Sequence, residues 1–349
     1  MRYLADPMRG SDFLMNSFWF GVRRSPAVRR RTGAGRESGR VWRMPFMRLL
    51  VIVLCMTGLS PASRGQPRTY GDEGQWKITS YSVVIRKSQD ADATLTVTQG
   101  GKTLYRMSNA ALWLNPVSFF KTMAAGASYD EQKKPHGIGQ DVLKLGRPTL
   151  VVQGFSGGAH CCFDVTILYL GDHFRAMPAI PLFDAESVKF LPAKGREELV
   201  MSTADFTFAY WEAPFSDSSA APVELGFSTR VHHYLAEPDL MRAPLPSQAE
   251  MDAKRVAARA AQAELQSEGM DWVPRAVTQP ILDLIYTGHL KEALGFLDDV
   301  WSRSPEARNR YWSHLTTCQL RLSQFWPVVA KLNGLKPEKP ADNCLKRLE

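Results

Sequence analysis

From Trp76 to about Ala236, apolar and polar positions alternate, the period of a strand with one buried face. ATLTVTQGGKTLYRM (93–107) carries two such runs around Gly100-Gly101, a hairpin signature. PTLVVQ (148–153) and CFDVTILYL (162–170) read as strands, and Gly171-Asp172 turns the second into HFRAMPAI. EELVMST, FTFAYW, PVELGFS and RVHHYLA follow at short spacing with turn residues between them. Roughly ten strands result, with no helical pattern between them to join parallel pairs, so antiparallel sheets are expected. Residues 121–140 read as a loop with a helical start.

After Pro246 the pattern changes. SQAEMDAKRVAARAAQAELQSEG (247–269) has helical composition, with Ser247 placed to cap its start and Gly269 its end. Residues 279–305 read as two helices around Gly288. Gly288, Ala293, Leu297, Val300 and Pro305 have the spacing of one tetratricopeptide-type hairpin, and a single such unit makes no solenoid. The expected fold class is α+β. An antiparallel β-rich domain over 66–240, a sandwich or partial propeller, precedes a helical region over 241–349.

Charge modifies the picture at one end only. The formal net charge of +8 suggests a nucleic-acid partner until it is located. Residues 1–65 hold twelve arginines against Asp6, Asp12 and Glu37, while the other 284 residues carry 31 basic and 32 acidic side chains. A nucleic-acid face needs its surplus in the folded part, so that partner is excluded. Leu49–Leu59 (LLVIVLCMTGL) is an apolar run behind Arg48, followed by the small residues of SPASRGQ. The run is too short for a bilayer span and has the form of a signal-peptide core. The expectation is a periplasmic or secreted protein. It starts translation at Met44 or Met47, begins after cleavage near Ser63 or Gln66, and keeps no stable membrane span.

Export makes cysteine pairing relevant. Without Cys55, four cysteines remain, and they allow three connectivities. Cys318 and Cys344 share the C-terminal segment and are expected to pair, leaving Cys161 with Cys162.

LVVQGFSGGAHCCFDVTILYL (150–170) holds the candidate chemistry. G-F-S-G-G fits the nucleophile elbow of a serine hydrolase, with Ser156 as nucleophile. That elbow requires a helix after the serine. Phe163, Val165, Ile167 and Tyr169 alternate with their neighbours instead, which makes the motif a hairpin turn whose cysteines serve structure. The alternatives are a thiol or metal site at His160, Cys161 and Cys162. Adjacent cysteines lack the ligand spacing of structural zinc, so no metal and no cofactor are expected.

GQDVLKLGRPTLVV (139–152) and VKFLPAKGREELVM (188–201) share one order: polar loop, Gly-Arg, then apolar strand. This resembles the loop-to-strand step of FG-GAP/VCBS-type repeats of exported proteins, in which an aspartate-rich loop holds calcium. The resemblance implies propeller-like ancestry. Asp141 survives, but Lys144, Leu145, Pro192, Ala193 and Lys194 replace the expected ligands, so calcium is not implied. Phe206, Phe208 and Tyr210 alternate and are expected to share one face, with Trp211 opposite. Core packing accounts for such a set. Alternatively it is an aromatic platform for a peptide or glycan. The functional expectation is a non-catalytic exported binding protein for an unknown protein, peptide or glycan ligand.

Overall fold

The computed structural model describes residues 71–88, 91–122, 127–157, 163–182, 188–341 and Cys344. The basic leader, its apolar run, and His160, Cys161 and Cys162 lie outside the described residues.

The alternating part folds into three antiparallel sheets laid down in chain order. The first is a meander of β1 (Gly74–Ile78), β2 (Tyr81–Ser88), β3 (Ala91–Gln99) and β4 (Lys102–Asn109). Gly100 and Gly101 join β3 to β4 with φ of 57° and 79°, the two left-handed residues that a tight hairpin turn requires. The second sheet contains β5 (Ala111–Leu114), β6 (Thr149–Phe155), β7 (Phe163–Leu170) and β8 (Phe174–Ala176), with β9 (Ile180–Leu182) also paired to β7. The third is β10 (Lys189–Leu191), β11 (Val200–Asp205), β12 (Ala221–Ser228) and β13 (His233–Ala236). Strands that the pattern did not mark include β5 and β10, four and three residues long and too short for alternation to register, and HFRAMPAI forms two short strands, β8 and β9, in place of one. Among the described residues no barrel is closed.

The second sheet is buried on both faces, which is why Leu150–Val152 and Thr166–Leu168 read as nearly continuous apolar runs. Leu150, Val152, Leu168 and Leu170 pack with Tyr81, Val83, Ile85, Leu95 and Val97 of the first sheet. Val151, Val165 and Ile167 belong to a second core shared with Phe190, Met201, Val223 and Leu225 of the third sheet and with the helices.

The helix in the 121–140 loop is α1 (Tyr129–Lys133), set by a capping box between Ser128 and Glu131, and so lies mid-loop rather than at the loop's start. After β13 comes the one-turn α2 (Pro238–Met241), then α3 (Gln248–Ser267). Ser247 accepts from the Glu250 N–H at the start of α3, and Gly269 follows its end with φ of 71°. The hairpin of α4 (Arg275–Tyr286) and α5 (Leu290–Val300) turns at Gly288, with φ of 92°, and Ala293 is fully buried where the helices meet. Pro305 opens α6 (Pro305–His314), whose last turn widens into a π-helical turn over Leu315–Gln319. Two short helices, α7 (Leu320–Leu322) and α8 (Trp326–Leu332), end the described helical part. Among the described residues no helix is long and apolar enough to cross a membrane. Cys318 and Cys344 are bridged, with Cα atoms 5.4 Å apart.

Asp72 ties the chain before β1 to β5 by accepting from the Leu114 N–H at 2.7 Å. Burial pushes its carboxyl up to about 6, against the lowering effect of that hydrogen bond. Between the ordinary carboxylate range and that value the folded state binds more protons than the unfolded chain. Stability from this group therefore falls as pH rises through the window and stays lower above it. Asp164 and Glu224 are raised by burial and act in the same direction. Asp72→Asn is expected to raise the melting temperature at pH 7.5 and to change it less at pH 4.5. Thermal unfolding of both proteins at the two pH values checks this. Equal shifts at both would refute it.

Candidate functional site

The G-F-S-G-G motif spans the end of β6 and the connection to β7. The two strands pair from Thr149↔Tyr169 to Phe155↔Phe163, so they form a hairpin and residues 156–162 join them. Ser156 and Gly157 are exposed just beyond β6. Gly157 has φ of 91° and needs glycine for that conformation. Gly154 needs it for a different reason from the turn expected of the sequence. It lies within β6, where an added Cβ would stand 2.1 Å from Asn109 Nδ2 and 2.9 Å from Asp164 Oδ1. Its absent side chain lets the Asn109 amide reach Asp164, at 3.4 Å. Gly154→Val is therefore expected to destabilise the protein by about 1–3 kcal/mol through overpacking. A chemical denaturation curve shifted by less than a tenth of that would contradict the close-approach account.

FTFAYW does not continue as a strand. Asp205 ends β11 and caps a single 3-10 turn over Phe206–Phe208 by accepting from the Thr207 N–H and hydroxyl at 2.9 and 2.6 Å. The expected face-sharing of Phe206, Phe208 and Tyr210 is thereby broken. Phe208 is fully buried, edge-on to Tyr286 and to Trp211, with ring centroids 6.0 and 6.2 Å away. Phe206 is half-buried, while Tyr210 is 56% exposed and packs on Phe215. Trp211 turns inward with Phe208, opposite to expectation. Its position is set by left-handed backbone on both sides, at Tyr210 (φ 60°) and Glu212 (φ 55°). Two such non-glycine residues cost on the order of 1–3 kcal/mol each, and strain of this kind collects at functional sites. Neighbours hold the segment in place: Ser218 Oγ accepts from the Tyr210 N–H at 2.9 Å, and the Glu212 carbonyl accepts from the Val273 N–H at 3.0 Å.

The strained segment borders a cleft of about 720 Å³. One wall is a single helical face, because Ala307, Arg310, Tyr311, His314, Thr317 and Cys318 are spaced three or four residues apart through α6 and the π-helical turn. Glu212, Val273, Trp301 and Arg303 form the other side. Three rings run in series, with Trp211 to Tyr311 at 5.0 Å and Tyr311 to Trp301 at 5.2 Å between centroids. The Tyr311 hydroxyl is bonded to Thr278 at 3.0 Å, and burial pushes its pKa well above the ordinary range, so it stays protonated. Arg303 is held by the carbonyls of Asp271 and Trp272 and by the Asp271 carboxylate. His314 Nδ1 lies 3.4 Å from the Trp211 indole nitrogen and 3.3 Å from a Glu212 carboxylate oxygen.

Nothing in the chain's likeness to other proteins adds to this. No family model, curated protein or solved structure matches the chain. The site stands on its own geometry.

The two loops that resemble calcium-binding repeats are held by protein groups. Asp141 accepts from the N–H groups of Leu145 and Gly146 at 2.8 and 2.6 Å. Arg147 pairs with Asp172, and Arg196 with Glu198 and Glu237. The Leu199 N–H donates to the Leu143 carbonyl at 3.1 Å, joining one loop to the other. Among the described residues no three His, Cys, Asp or Glu side chains cluster as metal ligands. Of the residues singled out from sequence, the Cys318–Cys344 bridge lines the cleft, and Trp211 is buried behind the lining against Tyr311 and His314. Trp301, Tyr311, His314 and Glu212 were missed, although the spacing of Tyr311, His314 and Cys318 on one helix was a visible signal.

Proposed function

We propose that this is an exported, non-catalytic binding protein and that its ligand is a glycan seated in the cleft between α6 and Glu212. The observation that carries this reading is a convergence. Left-handed backbone at Tyr210 and Glu212 and a π-helical turn at Leu315–Gln319 border one aromatic cleft. Both features lower local stability, and both occur preferentially where function requires them. Trp301 offers a half-buried ring, and Asn309, Arg310, Ser313 and Thr317 supply polar groups around it. A flat apolar ring beside polar groups suits a sugar, whose C–H face covers the ring while its hydroxyls take hydrogen bonds. Export is supported by the arginine-rich leader with its short apolar run, and by a disulfide in the helical region.

Binding to immobilised oligosaccharides and peptides, for the wild-type protein and for Trp301→Ala, tests the proposal. Retention on a saccharide that Trp301→Ala weakens at least about tenfold supports it, as expected for a central aromatic anchor. Retention on peptides alone, or saccharide binding indifferent to Trp301, would overturn it.

A further inference from the structure

The Trp211–His314–Glu212 contact contains an incompatibility that bears on the ligand. Nδ1 of a histidine either accepts a hydrogen bond or carries a proton and donates one. The Trp211 indole N–H is a donor only, and the Glu212 carboxylate is an acceptor when ionised. At 3.4 and 3.3 Å both partners are within reach of the same nitrogen, and only one is satisfied at a time. With Nδ1 bare, the Trp211 N–H is bonded, the imidazole is neutral and Nε2 carries the proton. With both nitrogens protonated, Nδ1 donates to Glu212 and the ring presents a charged N–H at Nε2. Nε2 has no hydrogen-bond partner among the described residues.

The charges facing His314 are few. Glu212 from the strained loop favours its protonation. Arg310, one turn earlier on the same face of α6, and Arg303 across the cleft oppose it. Arg303 is paired with Asp271, and Arg310 lies near Glu306 on its own helix. The lining's one carboxylate, Glu212, is within reach of His314, while two guanidinium groups line the same cleft. An anionic group entering beside Arg310 would tip the balance. It would offset the repulsion from the arginines and accept from a protonated Nε2.

Resting on the glycan reading, we propose that the ligand is a carboxylate-bearing saccharide, and that its carboxylate is bound by Arg310 together with His314. His314 takes up a proton as the complex forms and transfers its Nδ1 bond from Trp211 to Glu212. Histidine is the side chain whose charge ordinarily changes between pH 5 and 8, whereas a sugar carboxylate stays ionised there. Binding of the acidic saccharide therefore strengthens as pH falls through that range, and a neutral saccharide of the same length shows no such gain.

The test uses tri-galacturonate and its neutral counterpart, tri-galactose, titrated calorimetrically into the purified protein at pH 7.5 and 5.5. Tri-galacturonate is expected to bind about tenfold more tightly at the lower pH, with net proton uptake at pH 7.5 visible as a dependence on buffer ionisation heat. His314→Gln should bind it equally at both pH values, and Arg310→Gln should lose the preference for the acidic sugar. A second reading needs neither ligand nor variant: the Trp211 indole N–H resonance of the free protein should move between pH 7.5 and 5.5 as its acceptor is lost. Equal affinity for both sugars, acidic binding indifferent to pH, or a Trp211 resonance that does not move would overturn this inference and leave the glycan reading standing. If no saccharide of either kind binds, both fall.

Discussion

Asp205→Ala is expected to cost about 3–5 kcal/mol, the largest loss of any single substitution considered, because one buried carboxylate serves four donors. Asp205 is 2% exposed at the end of β11. It accepts from the Thr207 N–H and hydroxyl, from the Tyr286 hydroxyl at 2.5 Å and from the Ser323 hydroxyl. The last two come from α4 and from the turn after α7, so this side chain fastens the third sheet to the helices. Tyr286 is wholly buried, and the desolvation together with the nearby carboxylate keeps its hydroxyl protonated far above the ordinary range. Alanine would take the acceptor from the Ser323 hydroxyl and leave the Tyr286 hydroxyl only the long contact to Ser323 Oγ at 3.4 Å. It would also uncap the 3-10 turn that precedes Trp211, whose ring packs on Tyr311 behind the cleft. Asn, which keeps one acceptor oxygen, should cost less than half as much. At roughly 2–4 °C per kcal/mol for a domain of this size, the alanine variant should melt about 10 °C lower. A loss below 1 kcal/mol by denaturant titration would contradict the role assigned to Asp205.

Removing the Cys318–Cys344 bridge is expected to cost about 3 kcal/mol, from loop-closure entropy over a separation of 26 residues. The effect should extend beyond stability. Both cysteines line the cleft, and the bridge fastens the terminal segment against the π-helical turn, where the Ala341 N–H also donates to the Thr317 carbonyl. Cys344→Ser should therefore lower both the melting temperature and the affinity for any cleft ligand. Non-reducing peptide mapping should recover the 318–344 pair. A cross-link from Cys161 or Cys162 to either of these cysteines would refute the assignment.

The sheets and helices were legible because burial there follows a period. The β3–β4 hairpin announced itself through Gly100-Gly101, and α3 through Ser247 and Gly269. Periodicity failed where chain direction changes within a few residues. FTFAYW alternates like a strand, but the Asp205 side chain competes for the Thr207 backbone N–H and closes a 3-10 turn, so Phe208 and Trp211 turn inward together. Such a local cap is invisible to a pattern of apolar positions. Gly154 opens G-F-S-G-G and reads as part of its turn, because sequence shows only the missing side chain, not the Asn109 amide occupying its place. The cleft itself joins residues about a hundred positions apart: Glu212 and Trp211 meet His314 only because Asp205 and Val273 fix the loop against α4 and the helices that follow. No local signal carries that information.

The central claim is that the cleft beside α6 receives the ligand, and the indole N–H resonances of Trp301, which lines it, and of Trp211, which contacts His314 of the lining, report on it. Assigned through Trp301→Phe and Trp211→Phe, they should shift saturably as a retained saccharide is added, while those of Trp76 and Trp113, in the first and second sheets, stay in place. Shifts confined to Trp76 or Trp113 would put the ligand on the sheets and contradict the account.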